Sequence, residues 1–337
     1  MTKKLAAKAA PKKKATVKVS DPQEKDSVND ALSELVSAMF GEQPSAEDVK
    51  ALRRSLEMSS AKGMLGDGDD DAKSEAQELA FEAMEARSET VARRLAKRAL
   101  RLDPDCVDAL LVLADVGGRT LRARIEAVQG AVAAGRRSLG ERFFKKNKGH
   151  FWMLIETRPF MRAMETLGGE LFAAGLQADA IGVYAEMLEL NPNDNQGVRD
   201  PLLGLYLALG DTAGAKSLLK QYKDDASACF AWGRVLERLV AGDSKGADAA
   251  LAKAMRTNRF VALQLVGRVD LPDELPEMYS PGSVEEAVLC QLHLGSAWLA
   301  HPESLAWLYG RCAEMGIGPV PSKEGLLRMK TPGKGVQ

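Results

Sequence analysis

The chain has 337 residues, 45% of them apolar but only 5% aromatic, and a net charge of −1. That is enough to bury one large or two ordinary cores, and plentiful Ala and Leu with few aromatics favour helix packing over sheet. The charge balance excludes a globally basic nucleic-acid binder, yet residues 1–20 hold seven lysines and no acid. The remainder therefore carries about eight negative charges. Cys106, Cys229, Cys290 and Cys312 are far apart and form no C-x-x-C pair. Reduced thiols and a cytoplasmic location are expected from that spacing. No apolar run approaches the ~20 residues of a membrane span, and the basic N-terminus lacks the apolar stretch of a secretory signal.

In chain order, residues 1–26 are a Lys/Ala-rich tail with little to bury and are expected to be disordered. Residues 27–62 predict a short helical hairpin. Leu32, Leu35, Val36 and Met39 recur at helical spacing, Gly41 ends that helix, and Ser45 with Asp48 opens the next. Residues 63–73 form an acidic linker. Residues 74–312 then run as helix after helix, broken by Gly, Asp, Asn or Pro, and no strand pattern appears. Residues 313–337 are rich in Gly, Pro and Lys and predict a flexible tail.

The helical region carries a template. Leu79 and Ala80 precede Pro104 by 25 and 24 residues, and Ala92, Ala96 and Ala99 precede it by 12, 8 and 5. Leu167, Gly168, Ala180, Tyr184 and Met187 stand at the same offsets before Pro192. Small side chains at fixed places suit helix axes ~8–10 Å apart, where long ones do not fit. The turn made by Gly175 and Ala180 recurs as Gly210, Asp211 and Ala215, again as Gly242, Asp243 and Ala247, and in degenerate form as Gly282 and Ala287. A looser copy holds Leu110, Leu113, Ala114, Ala127 and Ala131. The surplus between the two prolines falls in residues 136–155, read as an insertion.

This template resembles the 34-residue tetratricopeptide repeat over roughly residues 74–300. The blocks GHFWMLIETRPFMRA, from Gly149, and YAEMLELNPNDNQGVR, ending at Arg199, are similar to a set of bacterial tetratricopeptide proteins. They resemble more distantly the suppression-of-tumorigenicity-seven proteins. The resemblance implies an all-α, right-handed helical-repeat solenoid that binds a protein partner along its concave face. The family's carboxylate-binding arrangement does not map onto this chain. Asp200-Pro201 departs from the repeat pattern: either the helix starts late, with Asp200 as its cap, or it is kinked.

Candidate chemistry is sparse. No nucleotide-binding, hydrolase or zinc-protease motif occurs, so neither an enzyme, a cofactor nor a resident metal is expected. Asp67, Asp69, Asp71 and Glu78 imitate a calcium loop, but Ala72 replaces the glycine of its sharp turn. Cys290, His293, His301 and Cys312 lack a common zinc spacing. His150 near Glu156 is a weak acid–base pair. The polar block offers a binding groove: Arg158, Arg162, Glu165 and Arg199 are candidate partner contacts, an arginine gripping a carboxylate through two hydrogen bonds. Capping is the plainer role for Asn191, Asp194 and Asn195. The alternative is nucleic acid, contacted by Lys145, Lys146 and Lys148 with Phe143 and Phe144 stacking on bases. The opposing reading packs those rings onto the helices and leaves the lysines solvated.

Overall fold

The structure is a computed structural model, describing residues 68–116, 120–267, 271–317, 319–321 and 327–329. The described residues all belong to one unit, residues 65–337. The expected tail and helical hairpin, residues 1–62, lie outside the described residues. The described residues are all-helical apart from one short strand pair, with turns and loops between.

Fourteen helices are described. The first six are α1 (Gly68–Met84), α2 (Glu89–Leu102), α3 (Val107–Asp115), α4 (Leu121–Leu139), α5 (Glu141–Asn147) and α6 (Arg158–Ala173). Two 3₁₀ turns, Phe151–Met153 and Ile155–Thr157, join α5 to α6. Then follow α7 (Gln177–Leu190), α8 (Arg199–Ala208), α9 (Thr212–Gln221), α10 (Ala228–Val240) and α11 (Ser244–Thr257). The last are α12 (Phe260–Gly267), α13 (Val284–Ala300) and α14 (Pro302–Glu314). The acidic linker expected at 63–73 is helical from Gly68, and an acid such as Asp71 in the first turn complements the positive end of the helix dipole. The same helix overruns the calcium-loop imitation, because a helix turns 100° per residue and cannot wrap alternate carboxylates round one ion. At the other end, Pro319–Pro321 pairs antiparallel with Leu327–Met329 inside the segment expected to be a flexible tail.

Consecutive helices pack as pairs: α1 with α2, α3 with α4, α6 with α7, α8 with α9 and α10 with α11. The crossings use the small residues of the sequence template. Ala92, Ala96 and Ala99 form the buried face of α2, and an added Cβ at Gly168 would lie 2.3 Å from the Tyr184 ring. The recurring Gly turn is one closure at all three of its regular positions, and Gly316 makes it again after the last helix. Gly175, Gly210 and Gly242 have φ of 72°, 70° and 79°. The next residue's N–H reaches back to the carbonyl of Leu171, Tyr206 or Arg238 at 2.8–2.9 Å, satisfying carbonyls that the helix end leaves open. Asp211 and Asp243 then cap the following helices by accepting from Gly214 and Gly246.

The fourth predicted copy of this turn is different. Gly282 ends a long connection rather than a helix, and the α12 and α13 that it joins pack together. Helix α13 also lies back across α8 and α10, the first helices of two earlier pairs. An added Cβ at Gly204 in α8 would come within 2.0 Å of the His293 backbone carbonyl, so only glycine permits that approach. His301 Nε2 bonds the Leu207 carbonyl at 2.7 Å. Buried Glu286 accepts from Ala228 N–H at 2.9 Å and from Asn258 Nδ2 at 2.9 Å. Trp232 donates to the Asn258 carbonyl at 2.9 Å, which locks α13, α10 and the end of α11 together.

Asp200-Pro201 neither caps nor kinks its helix. Both sit in the first turn of α8, where a missing N–H costs nothing. Asp194, at φ 52°, caps that turn, accepting from Val198 N–H at 2.8 Å and Arg199 N–H at 3.0 Å. Asn191 closes α7.

Candidate functional site

The first helices of the first three pairs, α1, α3 and α6, lie side by side. Asp108 in the first turn of α3 is completely buried. A buried carboxylate must be paired or neutralised, and two partners reach it. Arg162 of α6 grips it through Nε–Oδ1 at 3.0 Å and a second nitrogen on Oδ2 at 2.5 Å, while Gln77 of α1 donates to Oδ2 at 2.7 Å. This polar bar crosses the three helices. The sequence reading gave Arg162 a carboxylate to grip. It does grip one, but that carboxylate belongs to its own chain.

Two open cavities meet at Arg162. The larger, about 630 Å³, is lined by Met84, Arg87, Val112, Arg124, Arg162 and Glu165 among others. The smaller, about 410 Å³, is lined by Gln77, Phe81, Leu139, Ile155, Arg158 and Arg162 among others. Phe81 and Ile155 are 47% and 60% exposed, an apolar pair that the fold leaves to solvent. Of the four groove candidates, Arg158, Arg162 and Glu165 line this region. Glu165 accepts from Gln196 at 2.5 Å.

Arg158 differs from its neighbour. Its guanidinium stands 5.2 Å from the Trp152 ring and meets no carboxylate among the described residues. Its Nε is buried without an acceptor. Burial, then repulsion from Arg162, pushes its pKa down. The acids of the same cavity are engaged: Asp105 holds Arg137 at 2.6 Å, Asp103 accepts from the Asp105 N–H at 3.0 Å, and Glu156 has a partner of its own.

Arg199 lines neither cavity. It pairs with Asp225 at 2.9 Å and Asp194 at 3.7 Å and stacks near Tyr222 and Phe230 at 5.1 and 5.8 Å. Beside it Asp200 is half-buried, its Oδ1 buried and unpartnered. Burial raises the Asp200 carboxyl to about 7, with Asp225 adding to the effect and Arg199 opposing it. Burial likewise lifts Asp194 to about 6 against the pull of its backbone N–H donors. Three acids thus share one cation, and the Cys229 thiol, itself pushed well up by burial, lies beside both Asp200 and Cys290. Arg199 is 32% exposed and stands apart from Arg158, Arg162 and Glu165, among Asp194, Asp225, Tyr222 and Phe230.

The basic–aromatic segment is also resolved. Arg136 and Arg137 belong to the last turn of α4, so the inserted stretch begins at Gly140. Phe143 and Phe144 are half-buried against the core. Phe144 contacts Phe151 at 4.9 Å and Phe160 edge-on at 5.2 Å. Lys145 and Lys146 are exposed, and Lys148 pairs with Glu189 at 2.7 Å. The rings face inward and the lysines outward. Cys290 meets Cys229 and His301 meets a backbone carbonyl, and no group of three or more metal-ligating side chains forms among the described residues. His293 is held near pKa 4 by burial. No helix among the described residues is long and apolar enough to cross a membrane.

Compared with models of known protein families the chain matches none, and it matches no curated protein. Sequence reasoning missed Asp108, Gln77 and Phe81. The only signal was Phe81 standing on the polar side of an otherwise regular helix, since Asp108 reads as an ordinary first-turn acid.

Proposed function

We propose that the protein is a tetratricopeptide-like repeat scaffold that binds a protein partner in the groove across α1, α3 and α6. The observation that carries this reading is α13. In the C-terminal half the chain lays its own helix across the first helices of two pairs, α8 and α10. In the N-terminal half the first helices instead border two open cavities, with Phe81 of α1 and Ile155 of the turn before α6 exposed. A face that one half covers with its own chain is, in the other half, available for another. Arg158, Arg162 and Glu165 would contact the partner, with Phe81 and Ile155 as apolar anchors.

The proposal assigns no reaction or cofactor to the chain. It places the protein in a reducing cytoplasm, a placement supported by four buried cysteines without a disulfide. The nucleic-acid alternative draws less support, because base stacking needs exposed rings and Phe143 and Phe144 are turned into the core edge. Affinity capture with wild type and with Phe81→Asp/Ile155→Asp tests the proposal, circular dichroism first showing that the variant is folded. The variant should lose the proteins that wild type retains. Recovery of the same set with both would defeat the reading.

A further inference from the structure

The 16-residue connection between α12 and α13, residues 268–283, has no regular structure from 271 onward. Loops that long inside a helical protein are uncommon and usually functional. From Leu271 to Ser283 it reads LPDELPEMYSPGS, with three acids and no base. Leu275 and Met278 are exposed, Met278 by 84%. Asp273, Glu274 and Glu277 are exposed and have no ion pair or hydrogen bond among the described residues. Pro272, Pro276 and Pro281 stiffen the stretch, so less entropy is lost when it is held by something else.

The cavity beside Arg158 is also lined by Asp103, Asp105 and Glu156, each with a partner of its own, and it presents a guanidinium without a carboxylate, a buried Nε without an acceptor, and an exposed apolar pair. We propose that the two surfaces bind each other between copies of this chain, the Leu271–Met278 segment of one molecule entering the Phe81–Arg158–Ile155 cavity of the next. An acid of the segment supplies the missing acceptor to Arg158, and Leu275 or Met278 covers Phe81 and Ile155. The proposal rests on the groove reading above and names its occupant. Because donor and acceptor surfaces differ, the contact is head-to-tail and builds open chains or rings, not a symmetric pair. The segment is short, so the buried area falls at the small end of the range for specific interfaces and the association is weak.

Sedimentation of the purified full chain up to roughly 0.1 mM, where weak interfaces of this size populate, tests the proposal. The weight-average mass should rise above the monomer with concentration. Arg158→Glu should abolish the rise, and so should Glu274→Lys/Glu277→Lys, whose changes lie in an exposed loop and leave the helices untouched. Mixing the two variants should restore a heterodimer, since each keeps one intact surface. A wild type that stays monomeric throughout overturns the proposal, and so does association that both variants preserve. If wild type is monomeric while the Phe81/Ile155 variant still loses a captured protein, the groove reading stands and only the self-association falls.

Discussion

Asp200→Asn should make the protein more stable at pH 8 and flatten its pH dependence. Asp200 faces Arg199 on its own helix, Asp194 before it, Asp225 between α9 and α10, Cys229 on α10 and, through that thiol, Cys290 on α13. Tyr279 and Glu286 complete the electrostatic neighbourhood. Burial raises Asp200 from 3.8 to about 7. A carboxyl raised in the folded state binds its proton more tightly there than when unfolded. Its contribution is thus fully present below the unfolded pKa and is lost as pH rises through about 7. Three units at about 1.4 kcal/mol each give a loss of about 4 kcal/mol across that window, as an order of magnitude. Asp194, raised to about 6, adds a loss of the same sign completed earlier. Urea unfolding followed by circular dichroism at pH 5, 6, 7 and 8 measures this directly. Wild type should weaken steadily, and Asp200→Asn should keep only the slope due to Asp194. Parallel slopes for the two proteins would refute the reasoning.

Gly204→Ala should destabilise by about 3 kcal/mol, the upper range for overpacking, because the obstacle is the His293 backbone and not a side chain that can turn away. Chemical denaturation reads this, and an effect below 1 kcal/mol would mean that α8 and α13 do not pack so closely. Asp108→Ala should cost about 3 kcal/mol by stranding Arg162 and Gln77, at the low end for a broken buried pair since Arg162 is partly solvated. The same denaturation curve checks it, and a neutral result would contradict the polar bar. Phe144→Ala should destabilise by about 2 kcal/mol while Lys145→Ala and Lys146→Ala leave the midpoint unchanged, as expected for a ring half-buried between Phe151 and Phe160.

What could be read from the sequence was what repeats. Ala92, Ala96, Ala99, Gly168 and Ala180 recur at fixed offsets because each helix pair solves the same packing problem, and Gly175, Gly210 and Gly242 end their helices in one way. The return of α13 onto α8 was not legible. It depends on Gly204 meeting a backbone some ninety residues later, and a single glycine in an apolar helix carries no period. The candidate site divided for the same reason. Arg158, Arg162 and Glu165 follow one helix and arrive together. Arg199 sits at the start of α8, where Asp225, distant in sequence, draws it inward. Asp108 looked like a solvated first-turn acid because its partners lie 31 and 54 residues away.

The central claim is that the face of α1, α3 and α6 holds another protein. A photo-reactive phenylalanine analogue placed in living cells at Phe81, at Ile155, and at exposed Leu299 on α13 as control tests it most directly. The account predicts the same crosslinked protein from positions 81 and 155 and not from 299. No crosslink from 81 and 155, or an identical pattern from all three, would contradict it.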